Sequence, residues 1–398
     1  MSNSLSAGFS QYWSRRMSRK HYQIDVFRGF ASFEEQDKLT KGDRVHRPYR
    51  SDLNVVSYVR GTSVNLQDLT DTDEYLLVDQ AKIVPFYVDD LDALQHNYKI
   101  QNEYADDAAV KLGNVIDGAV LAEVVNATSS VDDGTLGGTS GNPIVVTTSN
   151  VMQLFSNAGT KLDLLNIEQD NRFAVVSPQV YQKLWEYLAG KDMPKTYDIG
   201  RSGYVGDYAG FQIFKSNASY WTATLALATT PTNTDTVTIN GVTFTFVSSI
   251  GSTAGNVLID GSAANSNTHL AALINTPGTT TANGVALSAA DQIKIGKISA
   301  TAGATSTALV GKGIGYAQVS ETLTDTTDGW TANKQIQHLM FGRKNATDIV
   351  IQKRPNVEVK EVPDKLGKNI LPWTLYGIKT FKEGTDMLVD VKVKSSSF

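Results

Sequence analysis

The sequence predicts an α+β protein whose main domain is interrupted by an inserted, mostly β domain, and three observations carry that reading. Apolar residues recur at steps of three and four through 89–126, the period of one long helix. Short runs with the two-residue period of strands lie on both sides of it. Between Thr222 and Trp330 charged residues thin out and Thr, Ala, Gly, Ser and Asn dominate, and from Lys334 the earlier composition returns.

A chain of 398 residues has room for two or three domains with cores of their own. Its net charge of −5 is ordinary for that length and points to no partner. The absence of cysteine excludes disulfides, thiolate metal sites and cysteine nucleophiles. No apolar run approaches the ~20 residues of a membrane helix, and the first twenty residues lack the apolar core of a secretion signal. The expectation is a soluble protein that folds where it is made, without a membrane partner.

Residues 1–41 read as an N-terminal arm. Arg15, Arg16, Arg19 and Lys20 cluster beside Tyr12, Trp13 and Tyr22, ahead of the more acidic Glu34, Glu35 and Asp37. A basic, aromatic arm can lie along nucleic-acid phosphate, or it can pack, solvated, on a neighbouring subunit.

In 42–88 the strand period takes over. Val55, Ser57 and Val59 alternate with Val56 and Tyr58, Arg60-Gly61 offers a turn, and Val64 and Leu66 resume beyond it; 75–78 and 83–88 are further β runs. The pattern predicts a long hairpin with a polar tip. Such a projection cannot bury itself and wants a partner surface, so Val55, Tyr58, Arg60, Val64 and Leu66 are candidate intersubunit contacts.

The segment 89–143 opens with the helix. Leu91, Leu94, Tyr98, Gln101, Ala105, Ala108, Leu112, Val115, Ala119 and Ala122 form a seam that only Gln101 interrupts. Asp89 or Asp90 can cap its start, and its length would be roughly 55 Å. Gly113 and Gly118 each cost about 1 kcal/mol relative to Ala, so packing must hold the helix straight. The stretch 128–143, TSSVDDGTLGGTSGNP, reads as a plain flexible loop; its glycines lack the Gly-Lys-Ser/Thr of a phosphate cradle.

In 144–221 an α/β unit is expected. A helix from about Ser149 turns Val151, Leu154, Phe155, Ala158, Leu162 and Leu165 to one face. RFAVV (172–176) is a buried strand, and Ser177-Pro178 starts another helix with the stripe Tyr181, Leu184, Trp185 and Leu188. Gly206 and Gly210 then stand among short β pieces.

The inserted segment, 222–330, holds a strong hairpin signal in TVTINGVTFTF. Asn240-Gly241 suits a two-residue type I′ turn, which pairs Ile239 with Val242 and Val237 with Phe244 on one face. A short helix over 268–275 stops at Pro277-Gly278, and Ile293, Ile295 and Ile298 suggest a strand. In 331–398 the earlier composition returns with Ile336, Leu339, Met340 and Phe341, and strands are expected over 347–352, through Val357, Val359 and Val362, and over 374–381 and 387–393.

Chemistry finds little purchase. His21, His46, His96, His269 and His338 are scattered without ligand spacing. The pairs Asp89-Asp90, Asp106-Asp107 and Asp132-Asp133 consist of neighbours, which on a helix point in different directions. GKGIG (311–315) is a lone glycine cluster, and no GxSxG or HExxH motif occurs. The expectation is a protein that is not an enzyme and takes no cofactor and no metal.

The order of parts resembles the major capsid protein of tailed double-stranded DNA phages, the HK97-type fold. Three stretches carry the resemblance: GDRVHRPYRSDL running to EYLLVDQAKIVPFYVDDLDALQ (42–95), RFAVVSPQVYQKLW (172–185) and GDYAGFQIFKSN (206–217). The first is similar to that family's extended loop entering its spine helix, the others to its axial domain. The resemblance implies an N-terminal arm, an extended β-hairpin loop, a spine helix in a peripheral domain and an axial domain. The segment 222–330 resembles the extra β domain of P22-like coat proteins. No residues match the Lys and Asn that some relatives crosslink, and none are assigned.

The implied function is a shell of pentamers and hexamers around packaged double-stranded DNA, with Arg15, Arg16, Arg19 and Lys20 on the inner face. Scaffolding protein, portal and a decoration protein are the implied partners. The implied location is the virion, after assembly in the host bacterial cytoplasm. An encapsulin-like compartment shares this fold, and a carbohydrate-binding protein acting through the Thr-rich insertion is the reading from another class.

Overall fold

The computed structural model describes residues 25–37, 39, 42–50, 53–64, 66–89, 100–189, 204–361 and 366–394. The chain divides into two compact units, Met1–Tyr22 with Gln80–Gly113 and Lys353–Leu375, and Gln23–Asp79 with Asn114–Gln352 and Tyr376–Phe398.

The first unit is built on a four-stranded sheet in which Asp348–Glu361, Gly367–Lys379 and Gln80–Ile83 are neighbours and Phe86–Asp89 also pairs with Gly367–Lys379. Ile370 and Thr374 turn to a buried side. Leu371 and Trp373, at alternate positions, are half-buried. The Trp373 indole donates to Glu358 Oε1 at 2.8 Å, and Lys353 Nζ stands 4.9 Å from the ring centroid.

Asp89 ends a strand, opposite Gly367 in an antiparallel register; β-branched and aromatic residues in PFYVD favour the extended backbone. The described helix, α1, spans Ile100–Ala122 and is about 35 Å long, followed by a 3₁₀ turn at Glu123–Asn126. Asp90, Leu91, Leu94 and Tyr98 lie outside the described residues.

The second unit contains the rest of α1, from Asn114. Here the predicted seam is too narrow. Beyond the half-buried Ala119 and the buried Ala122, the residues Ile116, Asp117, Val120 and Leu121 are buried, so this half of the helix is enclosed nearly all round.

Its main sheet has ten strands. The path runs Ile298–Ala302, Ser306–Gly311, Tyr220–Ala226, Ile336–Arg343, Arg172–Val176, Phe211–Lys215, Tyr204–Tyr208, while Gly329–Trp330 pairs with Tyr220–Ala226, Leu388–Lys394 with Ile336–Arg343, and Ser129–Val131 with Leu388–Lys394. Helices α2 (Val151–Leu164) and α3 (Pro178–Ala189) cover one face and α1 the other. Both faces being covered, RFAVV is buried at every residue, with Ala174 and Val176 in one core and Phe173 and Val175 in the other.

On α3 the buried residues are Val180, Leu184 and Leu188, at strict four-residue steps, and Trp185 is exposed. Of the predicted stripe, Leu184 and Leu188 are buried and Tyr181 is half-buried against the same core, while Trp185 lies outside and Val180 takes the inner place, because a large amphipathic side chain tolerates the rim.

The Thr-rich segment forms a third core. A four-stranded sheet (Asn256–Leu258, Val242–Val247, Thr236–Ile239, Val319–Thr322) and helices α4 (Ala263–Asn275) and α5 (Ala289–Ile295) enclose Phe244, Phe246, Leu270 and Leu273 with Trp221 and Leu225. The Asn240-Gly241 turn has φ of 51° and 74°, and the pairs Ile239↔Val242 and Val237↔Phe244 are as the sequence predicts.

Two local expectations in this half of the chain are overturned. Ile293 and Ile295 belong to α5, not to a strand. Ser288 Oγ accepts from Asp291 N at 3.2 Å and sits 2.7 Å from Asp291 Oδ2, a reciprocal cap that favours helix over the alternation of isoleucines. Nor is 128–143 a plain loop. Asp132 accepts from Thr135 N (3.2 Å) and Gly141 N (2.7 Å), Asp133 from Thr139 N (2.9 Å), and Ser129–Val131 lies in the sheet. That acidic pair serves backbone N–H groups.

The GKGIG cluster is a seam of close approach. A Cβ on Gly118 of α1 would stand 2.7 Å from the Cα of Gly313, which has φ +71°. One on Gly315, φ +66°, would stand 2.7 Å from the Asn217 carbonyl oxygen. Gly118 therefore earns its place in the helix by letting this loop touch the backbone. Gly313→Ala combines left-handed strain with overpacking, and is expected to cost about 2 to 3 kcal/mol, read as a lower urea midpoint at unchanged m-value.

Candidate functional site

The strands Arg44–Arg50 and Asp71–Leu77 pair antiparallel, from Arg44↔Leu77 to Arg50↔Asp71. Beyond them the described residues of 53–70 form no ladder, which corrects the strands expected around Val55–Val59 and Val64–Leu66. The physical reason is that alternation makes a strand only against a surface, and these side chains have none in their own subunit. The predicted turn is present: Gly61 has φ +88°, and Val59 O accepts from Thr62 N at 3.1 Å and Thr62 Oγ1 at 2.6 Å.

The loop is apolar and outward. Val55 is 101 % exposed, Leu66 93 % and Tyr58 68 %, with Leu53, Val56, Val59, Val64 and Leu69 exposed too. Arg60 at the turn is exposed. All five residues predicted as contacts thus lie on one open loop, and the sequence reading missed Leu53 and Leu69, which flank it. A run of exposed apolar side chains of this kind marks an interaction surface.

A charged anchor holds the base of the hairpin. Arg47 Nη2 pairs with Glu35 Oε1 at 2.9 Å, and Nη1 with Glu383 Oε1 at 2.9 Å and Asp348 Oδ2 at 3.2 Å. Its guanidinium lies 4.5 Å from the Phe381 ring centroid. Glu35 and Asp348 are buried. Burial alone would lower the Arg47 pKa, but Glu35, Asp348 and Glu383 outweigh it and hold the group above its ordinary value. Burial pushes the Asp348 carboxyl up, against the pull of Ser32 and Arg47. Nearby, Lys382 N donates to Glu74 Oε2 at 2.9 Å, and Lys382 Nζ stands over Tyr49. Sequence reasoning found none of this, since Arg47 and Asp348 are 301 residues apart.

One cluster has the distances of a hydrolase relay. His338 Nδ1 is 2.9 Å from Asp390 Oδ2 and its Nε2 3.1 Å from Thr222 Oγ1. The three lie on adjacent strands, His338 and Asp390 are buried, and Tyr220 packs edge-on to the imidazole at 5.1 Å. An Nδ1–H given to Asp390 leaves Nε2 to accept from the Thr222 hydroxyl, which satisfies all three groups inside the sheet. His269 Nδ1 is 2.9 Å from Leu258 O, and His46 pairs with Asp73. Among the described residues no cluster of three or more His, Cys, Asp or Glu could hold a metal, and no helix is long and apolar enough to cross a membrane. Arg15, Arg16, Arg19, Lys20, His21 and His96 lie outside the described residues.

No protein-family model and no curated protein matches the chain. Solved structures do match it. A structure of Mycobacterium phage Che8 is 16 % identical, with a TM-score of 0.56 over 97 % of this chain and 98 % of that one. The capsid of cyanophage P-SCSP1u is 12 % identical, with a TM-score of 0.54 over 100 % and 96 %, and that of cyanophage Pam1 is 9 % identical, with a TM-score of 0.52 over 99 % and 98 %. At such identities the likeness is one of fold, and it extends over nearly the whole of each chain. The fold is that of phage capsid structures.

Proposed function

We propose that this chain is the major capsid protein of a tailed double-stranded DNA phage, of the HK97 type, which self-assembles into the icosahedral head shell. The observation that carries the reading is the end-to-end fold likeness to capsid structures. In this reading 42–88 is the extended loop with the strands leading into the spine, α1 is the spine of the peripheral domain, 144–221 is the axial domain, and 331–398 returns to the axial and peripheral domains. The segment 222–330 is an inserted domain of the P22-coat kind. Val55, Tyr58, Arg60, Val64 and Leu66 meet a neighbouring subunit in pentamers and hexamers, and Arg15, Arg16, Arg19 and Lys20 face the packaged DNA without reading its sequence. Scaffolding, portal and decoration proteins are the partners, and the shell assembles in the host cytoplasm. The role is structural, without catalysis or cofactor.

A shell subunit needs many modest contacts, each reversible enough to correct errors. An apolar loop carried on a firmly anchored stalk meets that need. The test is electron microscopy with sedimentation of the purified chain, alone and with its neighbouring gene products. Closed polyhedral shells or rings of five and six are expected. A persistent monomer overturns the reading, and particles carrying protein cargo without DNA or portal would favour an encapsulin-like compartment.

A further inference from the structure

We infer that Asn275 is a seal on the sheet edge formed by Ile298–Ala302, and that this edge, once opened, is a docking surface for the same strand of a second copy of the chain. The inference is independent of what the chain assembles into.

Ile298–Ala302 is the end strand of the ten-stranded sheet, paired antiparallel with Ser306–Gly311 on one side. Alternate residues of such a strand turn their N–H and C=O groups to opposite sides. Ala300 turns both away from Ser306–Gly311, and by the period of two Ile298 and Ala302 do the same. A row of this kind is a ready template for pairing with another chain. Its centre is occupied by a side chain. Ala300 N donates to Asn275 Oδ1 at 2.8 Å, and Asn275 Nδ2 donates to Ala300 O at 2.8 Å. A side-chain amide offers the same donor and acceptor as a peptide group, so Asn275, the last residue of α4, stands where the next strand would lie.

The strand itself says what the opened edge takes. Asn275, Ser299, Thr301 and Ala302 are exposed, so the edge lies at the surface. ISATA carries neither charge nor proline, the residues that elsewhere keep edges apart. The bonding pattern then selects the partner. Ala300 presents N and O together, as each member of a hydrogen-bonded antiparallel pair does. Two copies related by a two-fold axis at Ala300 exchange the two bonds that Asn275 now makes, with Ser299 opposite Thr301 and Ile298 opposite Ala302. The Thr-rich segment closes the ends of its four-stranded sheet as well. At Val319–Thr322, Ser320 O accepts from Trp330 Nε1 at 3.0 Å. At Asn256–Leu258, Leu258 N donates to Asn283 O at 2.9 Å and Asn256 O accepts from Val285 N at 3.0 Å.

The test uses the full chain, which has no cysteine of its own. Chains carrying Ser299→Cys are mixed with chains carrying Thr301→Cys and oxidised, with and without Asn275→Ala in both. In the two-fold pairing these positions face each other with Cα atoms about 4.5 Å apart, within reach of a disulfide. The Asn275→Ala mixture is expected to give roughly tenfold more crosslinked dimer than the mixture that keeps Asn275, because the two bonds are released to the partner. Neither cysteine chain alone is expected to crosslink so. Sedimentation of Asn275→Ala without the cysteines is expected to show added self-association, which a further Thr301→Lys, a charge on the edge, removes. A crosslink yield indifferent to Asn275 overturns the proposal. So does self-association that Thr301→Lys leaves in place, since loosened packing at the end of α4, and not strand pairing, is then its cause.

Discussion

Changing Val55, Tyr58, Val64 and Leu66 together to serine is expected to abolish assembly of the chain while leaving its melting temperature unchanged. All four side chains are exposed in the subunit, so their removal takes nothing from its cores. Burial of a Val or Leu side chain contributes about 1.5 to 3 kcal/mol. The three aliphatic positions alone then remove about 5 kcal/mol from each contact, between three and four orders of magnitude in its equilibrium constant. In the proposed shell that loss would be multiplied over every subunit. Deleting 54–65 is expected to act the same way and yield soluble monomers. Sedimentation and thermal melts on one preparation separate the two effects, and normal shells from either variant would show that the loop is not an assembly contact.

The largest loss of stability is expected from Arg47→Met. The side chain stays long enough to cover Phe381, but the buried Glu35 and Asp348 lose the guanidinium they share. Removing one partner of a buried pair costs about 3 to 5 kcal/mol; the exposed Glu383 adds little. Arg47→Lys is expected to recover only part, because one ammonium cannot reach three carboxylates as a forked guanidinium does. The deficit has a pH signature. The Asp348 carboxyl is already raised by burial, and losing Arg47 raises it further, so the folded state takes up a proton more readily than the unfolded one. Stability of the variant relative to wild type therefore falls as pH rises. Urea unfolding at pH 5 and pH 8 reads this directly: an equal deficit at both would mean that the lost packing of Arg47, not the uncompensated acids, is responsible.

Local signals carried far in some segments. Asn240-Gly241 set both the turn and the register of its hairpin, because only residues at ease with positive φ fit there and the turn leaves one pairing of Ile239, Val237, Val242 and Phe244. Leu154, Phe155, Ala158 and Leu162 on α2 lie inward as their spacing requires. Where phase depended on what lay opposite, the reading slipped. Trp185 is outside and Val180 inside, and α1 is buried beyond its seam at Ile116 and Leu121, because both faces of the main sheet are covered.

The composition break at 222 marks a change of core and not a break in the sheet. Tyr220–Ala226 pairs on one side with Ser306–Gly311 and on the other with Ile336–Arg343. Pairing partners that distant in sequence leave no trace in local periodicity.

By itself the sequence determined the mixed α and β class of the fold, the turns at Arg60-Gly61 and Asn240-Gly241, and the absence of cysteine chemistry, since period, turn residues and composition act within a few residues of one another. Only the tertiary structure decided that Gly118 and Gly313 meet backbone to backbone, that Arg47 is held by Glu35, Asp348 and Glu383, and that Asp117 fastens the chain at Val26 and Phe27. Each of these joins residues far apart in the chain, and the energy of a buried charge or a close contact depends on which atoms surround it, which exists only once the chain has folded.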